Sequence, residues 1–538
     1  MAEESSGPGA GRGISRRGLF TATAGAAAAG IAAGAAGTVA LRSEGGNGAA
    51  ELWRKPTDSE APAVRGVHLQ YGADAAREAV VSWHTMVSVT TPRVRYGTPE
   101  GGLGASVAAQ TRTYRDAKSG IEVQVHHARL TGLTPDTTYI YAAAHNGATP
   151  ELGTLRTAPA GRAKFRFTSF GDQGTPMLGK TVAAPPNPLL KGLLVAQSDN
   201  LGTQVAGDIT DAVERMEPLF NLVNGDLCYA ALAQDRVRTW NDWFTSNGRS
   251  ARNRPWMPAP GNHENELGNG PIGYDAFRTY FTVPDSGAER QFTGLWYAFT
   301  VAGARIIALA NDDVCYQDGG DTYVRGYSSG AQQRWLEEQL RSARADREID
   351  WVIVVMHQTA FSTAISDFNG ADLGIRENWL PLFDRFQVDL VLCGHEHHYE
   401  RTYPVRGTSG PGALTPAPTD TGHGPYDTSK GTVHLVIGGG GTSAPSTGML
   451  SPDPHCNVIT GLGEVGPLLG KRLPTTVPEP APWSAFRDMT NPYGFCCFDV
   501  DPGSPGGHTT ITATYYALVG PRSEPTPVDT FTLTRPRP

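Results

Sequence analysis

Lysine is scarce in this chain: only seven of its 45 basic residues are lysines, and no block or stripe of Lys and Arg stands out. The net charge is −8, which offers no electrostatic footprint for nucleic acid or for an anionic membrane. The shortage of lysine beside abundant Gly, Ala and Pro is more typical of a GC-rich genome than of a binding surface. We therefore expect no nucleic-acid partner.

Cysteine is also sparse. The 538 residues include six cysteines, which are too few for a disulfide scaffold in a chain of this length. No Cys-x-x-Cys pair is present to favour a zinc site built from thiolates. Cys228 and Cys393 lie inside polar motifs, and we interpret them as packed thiols or disulfide partners rather than as metal ligands. The pairing of the six cysteines stays open.

Long apolar runs are missing as well. Beyond residue 40 no segment reaches the roughly 18 uninterrupted apolar residues typical of a membrane span. Arg16 and Arg17 precede a weakly apolar, Ala/Gly-rich stretch over residues 21–40, a pattern typical of a twin-arginine export signal. A short membrane anchor is the alternative, but Ala and Gly provide little apolar surface. We predict a signal over 1–40, a linker over 41–60 and an exported protein, secreted or at the cell surface.

The length of the chain exceeds the roughly 250 to 300 residues at which one hydrophobic core stops growing, so we expect at least two domains. Residues 61–160 contain short runs of alternating apolar and polar side chains, such as 79–84, between Gly, Pro and Asp turns. This pattern predicts an all-β sandwich. His126 and His127 are neighbours in one predicted strand, so their side chains point to opposite faces and we expect structural roles for both.

The remaining residues, 161–538, contain apolar runs that each end in a polar motif. Four such runs lead into Gly171-Asp172, Gly225-Asp226, Met356-His357 and Gly394-His395. Short runs that are apolar throughout, with helical patterns between them, predict an α/β core whose strand ends share one edge.

Other elements of this region can also be predicted. Leu336, Leu340 and Ala343 recur at helical spacing after Ser329-Gly330-Ala331-Gln332, which we interpret as a capping box at the start of a helix. Pro, Gly, Thr and Ser accumulate over 407–430 and 452–482, which predicts long surface loops. Residues 495–500 and 509–517 alternate in the manner of strands that complete a sheet.

Five motifs in this region together supply seven potential metal ligands: Asp172, Asp226, Tyr229, Asn262, His357, His395 and His397. These side chains are hard or borderline ligands, which suit iron, zinc or manganese rather than copper(I). A carboxylate such as that of Asp226 can bridge two ions, and two ions about 3.5 to 4 Å apart can activate water and stabilise the oxygens of a phosphoryl transfer. The motifs therefore predict a two-metal site that hydrolyses phosphoesters.

The motif set resembles that of the purple acid phosphatases, within the calcineurin-like metallophosphoesterases, and is most similar to secreted actinobacterial members. The residues that carry the resemblance are Gly171-Asp172-Gln173-Gly174, Gly225-Asp226-x-x-Tyr229, Gly261-Asn262-His263-Glu264, Val355-Met356-His357 and Gly394-His395-x-His397. The resemblance implies an α/β fold, a metallophosphoesterase β-sandwich flanked by helices, with a C-terminal β extension over about 430–538. It also implies that residues 61–160 form a fibronectin type III-like domain, in which Tyr139 or Tyr141 would secure a corner.

The same resemblance distributes the seven ligands over two ions that share Asp226. The first, Fe(III), would be held by Asp172, Tyr229, His397 and one oxygen of Asp226. The second, Fe(II), Zn(II) or Mn(II), would be held by the other oxygen of Asp226 with Asn262, His357 and His395. The implied activity is that of an exported acid phosphatase, which hydrolyses small phosphomonoesters by attack of a metal-bound hydroxide.

His263 is assigned a catalytic role by the resemblance: it would bind the phosphate and protonate the departing alkoxide. The alternative is that it only orients the site. Plant-like members carry further substrate-facing histidines in the segment between His357 and His395, and this chain has none there. Three residues of that segment are candidates to contribute instead: Asn369, Asp372 and Arg376.

Glu400 and Arg401 are expected to buttress the last ligand loop rather than to touch substrate. Two other functions stay open at this stage. One is a phosphodiesterase that uses the same two ions, and the other is a cell-surface binding protein with a vestigial metal site. The motifs specify neither the natural substrate nor the oligomeric state.

Overall fold

The computed structural model describes residues 61–176, 201–233, 235–317, 324–366, 369–410, 414–465, 472–520 and 522–537. All of them belong to one compact unit, Lys55–Pro538. The predicted export signal and linker, residues 1–60, lie outside the described ranges. Within those ranges, no helix combines the length and the apolar character that a membrane crossing requires.

The N-terminal module consists of two four-stranded antiparallel sheets. Its strands are β1 (Arg65–Tyr71), β2 (Ala79–Thr85), β3 (Arg93–Gly97), β4 (Ala105–Ala108), β5 (Gln110–Arg115), β6 (Glu122–Leu130), β7 (Thr138–Ala144) and β8 (Glu151–Arg156). The strand orders are β1-β2-β6-β5 and β4-β3-β7-β8. Trp83, Val94, Val125 and Tyr141 are among the side chains buried in its core. The predicted all-β module is thus confirmed.

Two predictions about side chains in this module can be compared with the structure. The phenolic oxygen of Tyr139 accepts a hydrogen bond from the backbone N–H of Thr134 at 2.9 Å, so Tyr139 secures the turn before β7. His126 and His127 on β6 are both buried. Nδ1 of His126 lies 2.8 Å from Oγ1 of Thr111, and Nδ1 of His127 lies 2.8 Å from Oγ of Ser82. Both histidines have structural roles, as predicted.

The rest of the described chain contains helices and the larger sheets. Its first half comprises β9 (Phe165–Phe170), β10 (Thr175–Pro176), β11 (Leu201–Gly202), α1 (Val205–Arg215), β12 (Phe220–Asn224), α2 (Arg236–Ala251), β13 (Trp256–Ala259), α3 (Asp275–Tyr280), β14 (Tyr297–Val301), β15 (Ala304–Ala308), α4 (Ala331–Ala345) and β16 (Trp351–Val355). Its second half comprises β17 (Ala371–Asp372), α5 (Leu373–Asn378), α6 (Leu380–Arg385), β18 (Leu390–Cys393), β19 (Tyr399–Thr402), β20 (Val405–Thr408), β21 (Pro416–Pro418), β22 (Tyr426–Asp427), β23 (Val433–Ile437), β24 (His455–Val465), β25 (Arg472–Pro480), β26 (Ser484–Arg487), β27 (Gly494–Asp501), β28 (His508–Ala517) and β29 (Thr526–Pro536).

Two seven-stranded mixed sheets carry the polar motifs. Their orders are β13-β12-β9-β27-β28-β29-β22 and β14-β15-β16-β18-β23-β19-β26. Strands β9, β12 and β13 run parallel, and so do β15, β16, β18 and β23. In each sheet the strands that precede polar motifs are therefore neighbours with the same direction, and their carboxyl ends lie at one edge. The predicted α/β architecture is confirmed.

Aromatic side chains join these layers. Phe220 on β12 stacks on Phe167 at a centroid distance of 5.3 Å, and Phe167 stacks on Phe498 of β27 at 4.5 Å. Phe299 on β14 meets Phe220 edge to face at 5.8 Å, which links the two sheets. Tyr71 on β1 also meets the ring of Phe220, at a centroid distance of 6.1 Å, so the N-terminal module packs on this core.

The predicted helix before β16 is present as α4, with Leu336, Leu340 and Ala343 buried, but its capping box is wrong. Gly330 occupies the cap with a φ of 77°. The side chain of Gln332 turns away from the helix start and makes two hydrogen bonds of 2.9 Å with the backbone of Ala310. The amide of Gln332 therefore forms hydrogen bonds with a neighbouring loop and does not cap the helix.

The prediction of a long loop over 452–482 is also wrong, because this segment contains the hairpin of β24 and β25. Pro474, Pro478 and Pro480 lie on β25, which is an edge strand of the three-stranded sheet β17-β24-β25. An edge strand tolerates proline because one side of its backbone needs no ladder partner. The predicted final strands are confirmed as β27 and β28, and β27 pairs directly with β9.

Candidate metal centre

Four of the predicted ligands have left-handed backbone conformations. The φ angles are 58° for Asp172, 50° for Asp226, 56° for Tyr229 and 71° for His395. A residue other than glycine in this region costs about 1–3 kcal/mol, and such residues cluster at functional sites. Asp172 is held in place by hydrogen bonding, since its N–H donates to the carbonyl of Gly225 at 3.1 Å. The strained turns aim these side chains at one place.

Two motif glycines permit the close approach of these loops. A Cβ on Gly394 would lie 2.4 Å from Oδ2 of Asp172, and a Cβ on Gly225 would lie 2.5 Å from Nδ1 of His357. Real Cβ atoms do not come this close to other heavy atoms. Glycine at these two positions is therefore a condition for bringing the ligands of the two sheets together.

The first group of ligand atoms surrounds Nε2 of His357. This nitrogen lies 3.1 Å from Oδ2 of Asp226, 2.9 Å from Oδ1 of Asn262 and 3.2 Å from Nδ1 of His395. Nδ1 of His395 in turn lies 3.1 Å from the same oxygen of Asn262. The ligand atoms of Asp226, His357 and His395 all lie within 4.8 Å of one another, an arrangement that could hold a cation.

The second group consists of Asp172, Tyr229 and His397. The phenolic oxygen of Tyr229 lies 3.3 Å from Oδ1 of Asp172 and 3.1 Å from Nε2 of His397. That nitrogen is 3.3 Å from the same carboxylate oxygen. The other oxygen of Asp172 accepts the backbone N–H of His395 at 2.8 Å, which ties the second group to the first. The structure thus brings all seven predicted ligands together.

Each of the three histidine rings is also fixed from its far side. Nδ1 of His357 lies 2.7 Å from the carbonyl oxygen of Asn224, and Nδ1 of His397 lies 2.5 Å from that of Ala444. Nε2 of His395 lies 2.8 Å from Oε1 of Gln317. A carbonyl oxygen only accepts, so each far nitrogen carries the proton and the near nitrogen of each neutral ring keeps its lone pair. This is the second-layer pattern that metal-binding histidines need.

The charges of the first group fit a cation. Burial alone would lower the pKa of His357, but the carboxylates of Asp226 and Asp172 raise it to about 10. Burial would raise the pKa of Asp226, yet His357 and His263 hold it well below its usual value. Burial, reinforced by His357, lowers the pKa of His395. In the metal-free chain a second proton on His357, at its near nitrogen, therefore balances the carboxylates, and a metal ion would displace that proton on binding.

Glu264 supports the Asp226 loop. Its carboxylate accepts the backbone N–H groups of Asp226 and Gly261 at 2.8 Å and that of Leu227 at 2.9 Å. Burial and the nearby Asp226 raise the pKa of Glu264 to about 8. The sequence places Glu264 inside a recognised motif but gives it no role there, and only the fold shows that it joins two ligand loops.

His263 lies beside the ligands. Its ring centroid is 4.6 Å from that of Tyr229, and its backbone N–H donates to Oδ1 of Asp226 at 2.9 Å. Its side chain is partly exposed, unlike those of Asp226 and Tyr229. His263 therefore lies beside the ligand cluster with part of its side chain open to solvent.

Of the three candidates between His357 and His395, two are structural. Asp372 accepts the N–H of Gly374 at 2.8 Å and caps α5. Arg376 pairs with Glu479 at 2.6 Å. Asn369 lies nearer the cluster, since its Nδ2 donates to the carbonyl of His395 at 3.3 Å.

Glu400 contacts the end of the last ligand loop, because its Oε1 lies 2.6 Å from Nε2 of His398, whereas the support expected from Arg401 stays a prediction. Oε1 of Glu400 accepts the N–H of Thr363 at 2.9 Å, and Arg401 pairs with Asp529 at 2.7 Å. All six cysteines are buried free thiols. Cys228 and Cys393 are thus packed thiols, and their alternative interpretation as disulfide partners is wrong.

The chain is similar in sequence to two known protein families and to several known proteins. Residues 64–157 match the family described as purple acid phosphatase, N-terminal domain, and residues 203–399 match the calcineurin-like phosphoesterase family. An uncharacterised protein of Mycobacterium tuberculosis is 61% identical over 526 residues, which cover 98% of this chain and 97% of that protein. A phosphoenolpyruvate phosphatase of Allium cepa is 28% identical over 386 residues, 70% of this chain and 69% of that protein.

A solved structure has the same fold. The purple acid phosphatase PPD1 from yellow lupin seeds superposes with a TM-score of 0.63 at 21% identity, covering 88% of this chain and 75% of the lupin chain. The fold and the paired ligand groups define a binuclear metallophosphoesterase. Within that class, this chain belongs to the purple acid phosphatase family and is a phosphatase.

Proposed function

We propose that this chain is an exported acid phosphatase that hydrolyses small phosphomonoesters with two metal ions. The observation that supports the proposal is the convergence of seven ligand side chains whose three histidine rings are each held at the far nitrogen by a carbonyl oxygen. The name of the Allium cepa relative, a phosphoenolpyruvate phosphatase, supports a monoester substrate. Arg16 and Arg17 support export.

The proposed first ion is Fe(III), held by Asp172, Tyr229, His397 and one oxygen of Asp226. The donor set fits such an ion. Burial, with the carboxylates of Asp172 and Asp226, raises the pKa of Tyr229 well above its ordinary value. A phenolate can therefore form at this position only against a strongly positive charge, and a hard trivalent ion matches phenolate and carboxylate oxygens.

The proposed second ion is Fe(II), Zn(II) or Mn(II), held by the other oxygen of Asp226 with Asn262, His357 and His395. Two such ions, when bound, would supply an activated water and polarise a phosphoryl oxygen. The protein positions those ligands through Glu264, which fixes the backbone on both sides of Asp226. The fold also keeps the carboxylates of Asp226 and Asp172 buried, so water screens their charge only weakly.

His263 is the proposed general acid, which donates a ring proton to the leaving-group oxygen. Two contacts support this role. The backbone N–H of His263 is anchored on Asp226, and its ring lies against the ring of Tyr229. The imidazole is thereby held beside both ligand groups without being one of the ligands, and its proton stays available for the substrate.

The test of the metal assignment is a visible absorption spectrum of the purified chain with metal analysis, for the wild type and Tyr229→Phe. We expect iron in the wild type and a broad band in the green to yellow region that the variant lacks, because a phenolate bound to Fe(III) absorbs by charge transfer. A colourless, iron-free but active wild type would remove the iron-based assignment and leave a zinc or manganese enzyme.

The test of the substrate class compares hydrolysis rates for mono- and bis-(4-nitrophenyl) phosphate. A clear preference for the monoester supports the proposal, and a preference for the diester would make the chain a phosphodiesterase that uses the same site. A chain that binds fewer than about two metals and behaves identically after Asp172→Ala would instead be a binding protein with a vestigial site.

A further inference from the structure

Gln317 has a contact with the metal centre that the sequence motifs do not reveal. It lies in the loop between β15 and α4, far along the chain from every motif that supplies a ligand. Its side chain is buried, and Oε1 lies 2.8 Å from Nε2 of His395. The other two ligand histidines are fixed by backbone carbonyls, whereas His395 depends on a side chain.

The orientation of the Gln317 amide decides which nitrogen of His395 faces the ligand cluster with a lone pair. With Oε1 toward His395, the ring proton sits on Nε2 and Nδ1 is free to bind a metal. With the amide reversed, Nε2 would have to accept, and the proton would move to Nδ1. Nδ1 lies 3.1 Å from Oδ1 of Asn262, so that proton would point into the cluster, where it would exclude a metal ion.

The loop of Gln317 is held by Asp372. The carboxylate of Asp372 accepts the backbone N–H of Gln317 at 3.1 Å and that of Tyr316 at 2.9 Å. The N–H of Asp372 donates to the carbonyl of Thr359, two residues beyond His357, at 3.0 Å. The loop that positions His395 is thus tied to the loop that carries His357.

Among the residues that the structure describes, His395 is the only hydrogen-bond partner of the Gln317 side-chain amide. Nε2 of Gln317 is buried and has no hydrogen-bond acceptor among the residues that the structure describes. An apolar side chain of the same size would pack at this position without leaving a buried polar atom unpaired. The contact with His395 is therefore the feature that requires a glutamine at this position.

We propose that Gln317 is a positioning residue that fixes the tautomer of His395 and so sets the affinity of the second metal position. The inference rests on the proposed function, because it takes the ligand group of Asp226, Asn262, His357 and His395 to bind a divalent ion. It goes beyond that function by assigning the selection of the ligand nitrogen to a residue outside the motifs.

The experiment titrates Zn²⁺ into the full metal-free chain in competition with a chromophoric chelator. Gln317→Met removes the acceptor at nearly constant volume, and Gln317→Asn, which is too short to reach His395, is a second removal variant. Gln317→Glu keeps an acceptor at the same length. Gln70→Met is the matched control, because Gln70 is a buried glutamine in the N-terminal module. Thermal unfolding of each metal-free variant shows whether it folds.

We expect Gln317→Met and Gln317→Asn to weaken one of the two Zn²⁺ sites about 10- to 100-fold, the usual cost of losing a partner of a metal-bound histidine. Gln317→Glu and Gln70→Met should bind both ions like the wild type. Two Zn²⁺ sites of wild-type affinity in Gln317→Met, or an equal loss in Gln317→Glu, would overturn the inference alone. A wild-type chain that binds no Zn²⁺ would overturn the proposed function together with the inference.

Discussion

Two clusters of buried histidines in this molecule differ in electrostatic character. The pKa values of His357 and His397 in the metal centre are raised, although burial lowers that of His395, whereas the pKa values in the N-terminal cluster are lowered. In the metal centre, the carboxylates of Asp226 and Asp172 outweigh burial and raise the pKa of His357 to about 10. In the N-terminal module, burial lowers the pKa of His68 and of His84 to about 4. Burial is similar in the two clusters, so the neighbouring carboxylates make the difference. The comparison teaches that a buried histidine becomes a cation site only where the fold supplies negative charge.

The surroundings of the N-terminal cluster explain its neutrality. Besides burial, the neighbouring side chains of His68, Arg65 and His126 lower the pKa of His84, and the hydrogen bond to Asn241 opposes them. Burial and then Arg112 lower the pKa of His127. These rings serve instead as hydrogen-bonding groups: Nε2 of His68 lies 2.9 Å from the carbonyl of Tyr280, and Nε2 of His127 lies 3.0 Å from that of Thr279. Both carbonyls belong to α3, so neutral histidines join the N-terminal module to the catalytic part.

The largest effect is expected from removing the negative charge that distinguishes the metal centre from the N-terminal cluster. Asp226→Asn takes away the carboxylate nearest His357 and should leave fewer than two metals bound. Because bound metals supply several kcal/mol of transition-state stabilisation, we expect kcat/KM to fall about 1,000-fold. Metal analysis and hydrolysis of 4-nitrophenyl phosphate measure this. Asp499→Asn, which removes a half-exposed carboxylate paired with Arg166, is the control and should change neither quantity.

A smaller effect is expected at His263, which belongs to neither cluster. His263→Gln should lower kcat about 100-fold for phosphate esters of aliphatic alcohols, which need a proton on the leaving oxygen, and much less for 4-nitrophenyl phosphate. The metal content should stay at the wild-type value. Exposed His423, replaced by Gln, serves as the control. Equal losses for both kinds of ester would show that His263 only orients the site.

The N-terminal cluster should make the fold sensitive to acid. The folded pKa of His68 and His84 is about 4, below their ordinary value of 6.5, so the unfolded chain binds more protons between these values. Their contribution to stability is complete above pH 6.5 and is lost as the pH falls toward 4. We expect these two groups together to lower the unfolding temperature of the metal-free chain by about 6 °C over this window, since each pKa unit is worth about 1.4 kcal/mol per group.

The titration of His357 does not contribute to the change in unfolding temperature below pH 6.5. Its raised pKa contributes stability that is complete below pH 6.5 and is lost as the pH rises toward 10, so its contribution is constant in the acid window. Thermal unfolding followed by circular dichroism between pH 6.5 and 4.5, with a chelator present, is the measurement. The raised pKa of Glu264 adds stability as the pH falls, so the histidine contribution is measured as the difference between the profiles of the wild type and His84→Gln. Equal profiles would contradict the neutral state assigned to His84.

Much of the centre is predictable because its ligands follow strands. Asp172, Asp226 and His357 each end a run that is apolar throughout, and parallel strands bring such ends to one edge whatever the details of packing. Gln317 and the carbonyl of Ala444 could not be predicted, because they come from loops with no pattern of their own and reach His395 and His397 only through the tertiary fold. The β25 strand was missed for a related reason: its prolines are tolerated only because it lies at a sheet edge.

The smallest effect, and the sharpest test of the comparison, concerns one histidine. His84→Gln removes one titrating ring, whose Nε2 lies 3.2 Å from Oδ1 of Asn241, and keeps an amide that can donate to the same oxygen. The substitution itself will cost some stability at every pH, but this cost cancels when the change in unfolding temperature between pH 6.5 and 4.5 is compared with that of the wild type. We expect that change to shrink by about 3 °C, while His508→Gln on the exposed face of β28 leaves it as it was. An unaltered slope in His84→Gln would mean that carboxylates beyond this cluster cause the acid sensitivity, and the contrast between the two groups of histidines would then rest on the metal centre alone.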